Sequence, residues 1–223
     1  MNDLLYRART RVMCALLPRL GRPGRVSLGG LELKVEQGVH HPAPLWGLSV
    51  AALQELAVAR LPQDSKVLEL GTGAGFWALA AARAGHRVTA TELPEVPLHA
   101  PRAAAAHLGL TVRFLASDLF EALAKERFDA VLFNPPFHDA EPRRPEERAW
   151  CGRSTVRRFF EALPAHLTPG GSAWVLMPRA DQERYAAELS RFDRAVVDRR
   201  WFPILGTLEL LRLTPADPPA PGR

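Results

Sequence analysis

Val67-Leu68-Glu69-Leu70-Gly71-Thr72-Gly73-Ala74-Gly75 is an apolar run that ends in three glycines, each separated from the next by one residue. A helical pattern follows from Phe76 to Ala84 and stops at Gly85. Strand, glycine turn and helix in that order open a parallel α/β unit. Glycine there permits a positive φ in a tight turn and lets a ligand approach the backbone without a Cβ in the way. A second apolar run, Ala130-Val131-Leu132-Phe133, ends in Asn134-Pro135-Pro136-Phe137. If both runs are parallel strands of one sheet, both motifs lie at carboxyl ends, where open α/β sheets bind ligands.

Working outward, strands and helices alternate. Strands are predicted over Lys66–Leu70, Arg87–Thr91, Val112–Ala116, Phe128–Phe133 and Ala173–Met177, with helices between them. Thr168-Pro169-Gly170-Gly171 reads as a turn, and Asp181–Leu189 as a short helix. The last two β runs, Ala195–Arg200 and Thr207–Leu213, are close enough in sequence to pair antiparallel at the sheet edge. The fold class is therefore α/β: a mostly parallel, Rossmann-like sheet with an antiparallel C-terminal edge hairpin. Upstream, residues 3–20 read as a helix, and Arg25–Leu28 and Leu31–Val35 as a hairpin around Gly29-Gly30. A helix from Trp46 to Arg60 leads into the first core strand. The chain divides into an N-terminal basic extension (1–45), a main domain (46–213) and a Pro-rich tail (214–223).

The composition sets bounds. A chain of 223 residues, 47% hydrophobic and 24% charged, suits one large globular domain. No apolar run approaches the length of a membrane span, and the N-terminus does not read as a signal peptide. Cys14 and Cys151 lie far apart without metal-binding spacing, so neither a disulfide framework nor a metal site is expected, and a cytoplasmic setting is the default. The net charge of +5 is lopsided: the first forty residues hold seven cations against three carboxylates. A basic arm on a near-neutral body suits an enzyme that collects phosphates on RNA, although a plain solvated Arg-rich helix has the same composition.

The candidate cofactor loop comprises Glu69, Gly71, Thr72, Gly73 and Gly75. Glu92, at the end of the second core strand, can accept the two hydroxyls of a ribose, and Asp118, after the third, can meet an adenine amino group. A dinucleotide fingerprint would need glycine three positions after Gly73, where Phe76 stands. An adenosyl sulfonium has no pyrophosphate to seat there, so Phe76 does not count against it. The candidate catalytic residues are Asn134, Pro135, Pro136 and Phe137. A planar nitrogen is a poor nucleophile because its lone pair is delocalised. The Asn134 carboxamide oxygen and the Pro135 carbonyl can accept its two N–H bonds and turn the lone pair towards an electrophile. The prolines fix that backbone, and Phe137 offers a flat stacking face. Phe76 and Trp77 read as packing residues.

From about Gly30 to Leu213 the chain resembles the small-domain class I methyltransferases, whose signature is the (N/D)PP(Y/F) tetrad. The resemblance implies a seven-strand sheet, S-adenosyl-L-methionine as cofactor with contacts from Gly71, Gly73, Glu92, Asp118 and Asn134, and N-methylation of RNA or protein. Gly30–Val35 followed by Gly38-Val39-His40-His41-Pro42 is similar to the segment preceding the catalytic domain of release-factor glutamine methyltransferases. Those enzymes carry Arg-Pro-Glu-Thr-Glu next, where Pro42-Ala43-Pro44-Leu45-Trp46 stands here. Asn134–Asp139 is closer to the ribosomal RNA guanine-N2 methyltransferases, which usually carry a further N-terminal domain that forty residues cannot supply. An RNA acceptor is expected first, a protein side chain second and a small amine third; a non-catalytic adenosyl-binding scaffold is the alternative of another class. The sequence carries no signal for oligomeric state.

Overall fold

The computed structural model describes residues 24–35, 47–136, 138, 140–144, 147, 150–152, 154–202 and 206–216. The expected helix at 3–20, His40, His41, Trp46 and Phe137 lie outside these. A two-stranded antiparallel hairpin comes first, β1 (Gly24–Leu28) and β2 (Leu31–Val35). It turns at Gly29 and Gly30, both at positive φ. Then follow α1 (Gly47–Ala59), β3 (Lys66–Leu70), α2 (Phe76–Arg83), β4 (Arg87–Glu92), α3 (His99–His107), β5 (Val112–Ala116) and β6 (Phe128–Phe133). The chain continues through α4 (Thr155–Ala162), β7 (Leu167–Pro178), the single turns α5 (Arg179–Gln182) and α6 (Ala186–Leu189), β8 (Phe192–Phe202) and β9 (Gly206–Pro215).

Seven strands form one sheet in the order β5-β4-β3-β6-β7-β9-β8. The first five are mutually parallel, and β9 runs antiparallel between β7 and β8, so the expected edge hairpin is present. Strand alternation sorts the core into two layers. On one face Val67, Ala130, Leu132, Trp174, Leu176, Leu208 and Leu210 pack with α1, α2 and the hairpin leucines Leu28, Leu31 and Leu33. On the other, Leu68, Leu70, Val131, Phe133, Val175 and Leu211 meet Phe159 and Phe160 of α4. Burying a side chain of this size stabilises by roughly 1.5–3 kcal/mol, so the hairpin is anchored by its apolar face, although it joins no strand of the main sheet.

Three local expectations differ. Phe128 pairs with Leu167 and Ala130 with Ser172, so Pro169-Gly170-Gly171 is looped out as a bulge inside β7 rather than preceding it. The helix expected over 181–189 is broken by a 3₁₀ turn at Glu183–Tyr185. The helix expected between Phe133 and Ala173 stops at Ala162 and tightens to 3₁₀ over Leu163–His166, where Pro164 at the start of that turn has no N–H to continue the α ladder.

Candidate functional site

The carboxyl ends of β3, β4, β5 and β6 border a crevice of about 520 Å³. Its floor is the glycine turn. Gly71, Gly73 and Gly75 have φ of 64°, 53° and 89°. Gly75 is the residue before α2, and a Cβ there would come within 2.8 Å of Pro101 on α3, so this glycine answers both a backbone and a packing demand. The turn is fastened by Thr72 N–H donating to the Thr91 carbonyl at 2.9 Å and Gly75 N–H to the Thr72 carbonyl at 2.8 Å.

Two carboxyls stand behind the turn. Glu69 Oε2 accepts from the Thr72 hydroxyl at 2.5 Å and from the Ala78 N–H, in the first turn of α2, at 2.9 Å. Burial pushes its pKa up to about 8, against the lowering effect of those two bonds and with the charge of Glu92 adding to the rise. Glu92 accepts the Gly73 N–H on Oε2 at 2.8 Å and the Leu93 N–H on Oε1 at 2.9 Å. Burial raises its pKa too. Each oxygen of Glu92 thus holds one backbone N–H and keeps one lone pair for a ligand hydroxyl.

Asp118 lies in a turn after β5. Ser117 N–H donates to the Glu92 carbonyl at 2.7 Å, and the Ser117 hydroxyl accepts the Ala122 N–H at 2.9 Å. Arg158 of α4 reaches across to this turn, donating from Nη1 to Asp118 Oδ2 at 2.9 Å and from Nη2 to Glu121 Oε1 at 3.3 Å. Arg158 also lines the crevice. The opposite wall is Asn134 and Pro136 at the end of β6, with Pro135 buried beside them. Behind this wall the chain returns: His138 N–H donates to the Trp150 carbonyl at 2.9 Å and Gly152 N–H to the His138 carbonyl at 3.0 Å. A Cβ at Gly152 would sit 2.5 Å from Pro136 Cγ and 2.6 Å from Thr155 Oγ1, so the returning strand is pressed onto the proline pair.

The crevice therefore brings together Glu69, Gly71, Thr72, Gly73, Glu92, Asp118 and Asn134; Gly75 shapes the turn from behind, and Phe137 lies outside the described residues. Phe76 and Trp77 pack in the core as expected and also line the crevice. The Trp77 Nε1 donor is buried without a hydrogen-bond partner. Trp150 is packed into the core, and His138 is buried. Cys151, which sequence spacing gave no reason to pair, is disulfide-bonded. Among the described residues no three His, Cys, Asp or Glu side chains converge as a metal site would require, and no helix is long and apolar enough to cross a membrane. The sequence reading missed Gln54 of α1 and Arg158. Gln54 could have been suspected as an amide on the buried face of a helix; Arg158 meets Asp118 only through the fold.

Residues 48–196 match the methyltransferase small domain family. The ribosomal RNA small subunit methyltransferase C of Alcanivorax borkumensis is 30% identical over 176 residues, 74% of this chain and 51% of that one. The release factor glutamine methyltransferase of Bordetella pertussis is 36% identical over 125 residues, 49% of this chain and 46% of that one. The chain spans about half the length of these curated relatives. Among solved structures, the 16S rRNA guanine-N2 methyltransferase of T. thermophilus, in complex with AdoMet and guanosine, superposes with a TM-score of 0.64 at 22% identity, covering 87% of this chain and 50% of that one. The tRNA m1G37 methyltransferase of M. jannaschii gives a TM-score of 0.64 at 13% identity, covering 88% and 57%. At these identities the superpositions establish the fold, a methyltransferase sheet.

Proposed function

Because the chain belongs to the methyltransferase small domain family, we propose that it is an S-adenosyl-L-methionine-dependent N-methyltransferase whose acceptor is a planar nitrogen of an RNA base, ribosomal RNA foremost. One observation carries the proposal: the glycine turn and Asn134 face one crevice, with no described side chain plugging the space between them.

The residues present fit the cofactor. A carboxyl buried deeply enough to hold its proton up to about pH 8 is a site that gains from a cation, and the cofactor carries positive charge at both its sulfonium and its ammonium. The spare lone pairs of Glu92 suit the ribose hydroxyls, and Asp118 suits the adenine amino group. Thr72 and Gly73 hold the loop that presents them. When bound, the cofactor supplies a methyl group on a cationic sulfur, a strong electrophile. The chain's own part is positioning. The Asn134 oxygen and Pro135 carbonyl take the acceptor N–H bonds, Pro136 stiffens that backbone, and Phe137 stacks on the base. Catalysis then rests on pre-set geometry and fixed dipoles rather than on a strong base.

RNA is favoured over protein by the relative that covers most of this chain, by the tetrad and by the excess of cations. The glutamine relatives keep a protein amide as the second reading. Residues 1–45 would serve as a basic extension to the 46–213 domain, with 214–223 a tail, in a protein working in the cytoplasm without a membrane. The test is methyl transfer from labelled cofactor to ribosomal RNA, total protein and a small-molecule extract, with Asn134→Ala alongside. Label is expected in RNA, with kcat falling about 10²–10³-fold in Asn134→Ala while S-adenosylhomocysteine still binds. Label confined to protein would reassign the acceptor. Absence of adenosyl binding by the wild type would end the enzyme reading.

A further inference from the structure

The edge strand β8 sorts its charges by face. Arg194 pairs with Leu213, Val196 with Leu211, Arg199 with Glu209 and Trp201 with Thr207, all on the face that carries α4 to α6. Asp193 and Asp198, both carboxylates of the strand, fall on the opposite face, and Asp198 is tied to Arg200 at 2.9 Å. The α4–α6 face of β8 is thus cationic, and it ends in Trp201, which is 71% exposed. A single exposed aromatic is ordinary. What sets this one apart is the surface leading to it. Between β8, β9 and the turns α5 and α6 runs an open groove of about 880 Å³ lined by Arg179, Gln182, Glu183, Phe192, Arg194 and Thr207. Its wall is built: Arg194 Nη1 donates to Gln182 Oε1 at 3.1 Å, and Gln182 Nε2 donates to the buried Glu209 at 2.8 Å.

The register places this surface beside the crevice. Phe133 pairs with Val175, Val175 with Leu211 and Leu211 with Val196, so Val196 is level with the residue before Asn134. β8 runs parallel to β6, and Trp201 lies four register positions further towards the carboxyl edge, the strand being bulged between Val196 and Asp198. At about 3.3 Å per residue and about 4.8 Å per strand, Trp201 stands roughly 15–20 Å from Asn134 on the same rim.

We propose that the groove and Trp201 form a track for single-stranded RNA, with Arg179, Arg194 and Arg199 meeting phosphates and Trp201 stacking on a base a few nucleotides from the one that enters the crevice. This rests on the RNA reading above and extends it to a surface outside the cofactor crevice. Base–aromatic stacking tolerates any sequence because every base has a π-face, and a cationic lane supplies the salt-dependent part of the affinity.

The test uses the full chain, a short fluorescein-labelled oligouridylate and fluorescence anisotropy over a range of salt. Wild type is expected to bind, with Trp201→Ala about five- to 150-fold weaker, one base's worth of stacking, and Trp201→Phe largely restoring affinity. Arg194→Ala with Arg199→Ala is expected to lower the slope of log affinity against log salt by about 1.4. S-adenosylhomocysteine binding should be unchanged in all variants, which shows that the fold and crevice are kept. Unchanged oligonucleotide affinity and salt slope in these variants, or no binding by the wild type, would overturn the proposal. So would loss of transfer to a protein acceptor with RNA affinity intact, which would give the surface to a protein. The enzyme reading fails separately, if the wild type does not bind S-adenosylhomocysteine.

Discussion

Replacing Glu69 by glutamine is expected to make the protein more stable and a weaker binder of its proposed cofactor. Both hydrogen bonds into this side chain end on one oxygen, so a glutamine with its carbonyl there keeps the Thr72 and Ala78 donors. What it removes is the titration. Burial holds the carboxyl at a pKa of about 8 in the folded protein, against 4.5 for a solvated glutamate. Below pH 4.5 folded and unfolded chains are both protonated and the group costs nothing. Between the two values the unfolded chain binds fewer protons than the folded one, so stability falls as pH rises, by about 1.4 kcal/mol per unit. At pH 7 the cost is about 3 kcal/mol, a large share of a domain's net stability. Urea unfolding of wild type and Glu69→Gln at pH 5 and pH 7 should therefore show a gap that widens by a few kcal/mol. Calorimetry supplies the functional half. A cation in the crevice favours the carboxylate, so wild type should release about one proton on binding S-adenosylmethionine at pH 7, seen as a buffer-dependent enthalpy, and the glutamine variant none. A stability gap that does not change with pH, or a destabilised variant, would refute the reasoning.

Two further substitutions probe the walls of the crevice. Arg158→Ala frees Asp118 and should weaken S-adenosylhomocysteine about fivefold while erasing the preference for the adenosyl over the inosyl analogue; because the pair is partly exposed, the stability change should stay under about 1 kcal/mol, and intact discrimination would separate Arg158 from adenine recognition. Gly152→Ala places a methyl against Pro136 and Thr155 and should cost about 1–3 kcal/mol by overpacking, with kcat falling further than cofactor affinity; unchanged turnover would show that the returning loop does not support the proline pair.

The legible part of the molecule was its local part. Alternating apolar runs and glycine stops located every strand of the sheet along the chain, and the glycine turn and the tetrad after Phe133 pointed to a crevice at the carboxyl ends, because open α/β sheets bind ligands there; the strand order itself came from the structure. Contacts made across the fold were not legible. Arg158 and Asp118 are forty residues apart, and nothing near either announces the other. The bulge at Pro169–Gly171 looks like a turn because it is one, and only the pairing of Leu167 with Phe128 moves the strand's start ahead of it. The position of Glu92 marks it as a candidate ribose acceptor, yet it also clamps the loop through the Gly73 N–H, a bond that depends on how the turn closes. Trp201 gave no signal, since exposure is a property of the finished surface.

The distribution of charge ties these features together. A protein of net charge +5 gathers Glu92, Glu95, Asp118 and Glu141 around one crevice, besides Glu69, which burial keeps protonated until a cation arrives, with Arg158 the only cation among the described lining residues. Such a crevice attracts a small cation and repels phosphate. On the proposed reading, an RNA chain would keep its backbone outside this crevice while an uncharged base alone enters, which an unpaired or extruded nucleotide permits and a stacked duplex does not. The phosphates then need a surface of opposite sign on the same rim, and the α4–α6 face of β8 has it. On that reading, methyl transfer would remove the positive charge on sulfur while the ammonium remains, so the product would keep only part of the attraction that the crevice offers a cation. The acidic crevice proposed to admit the cofactor and exclude phosphates would then also hold the product less firmly than the cofactor.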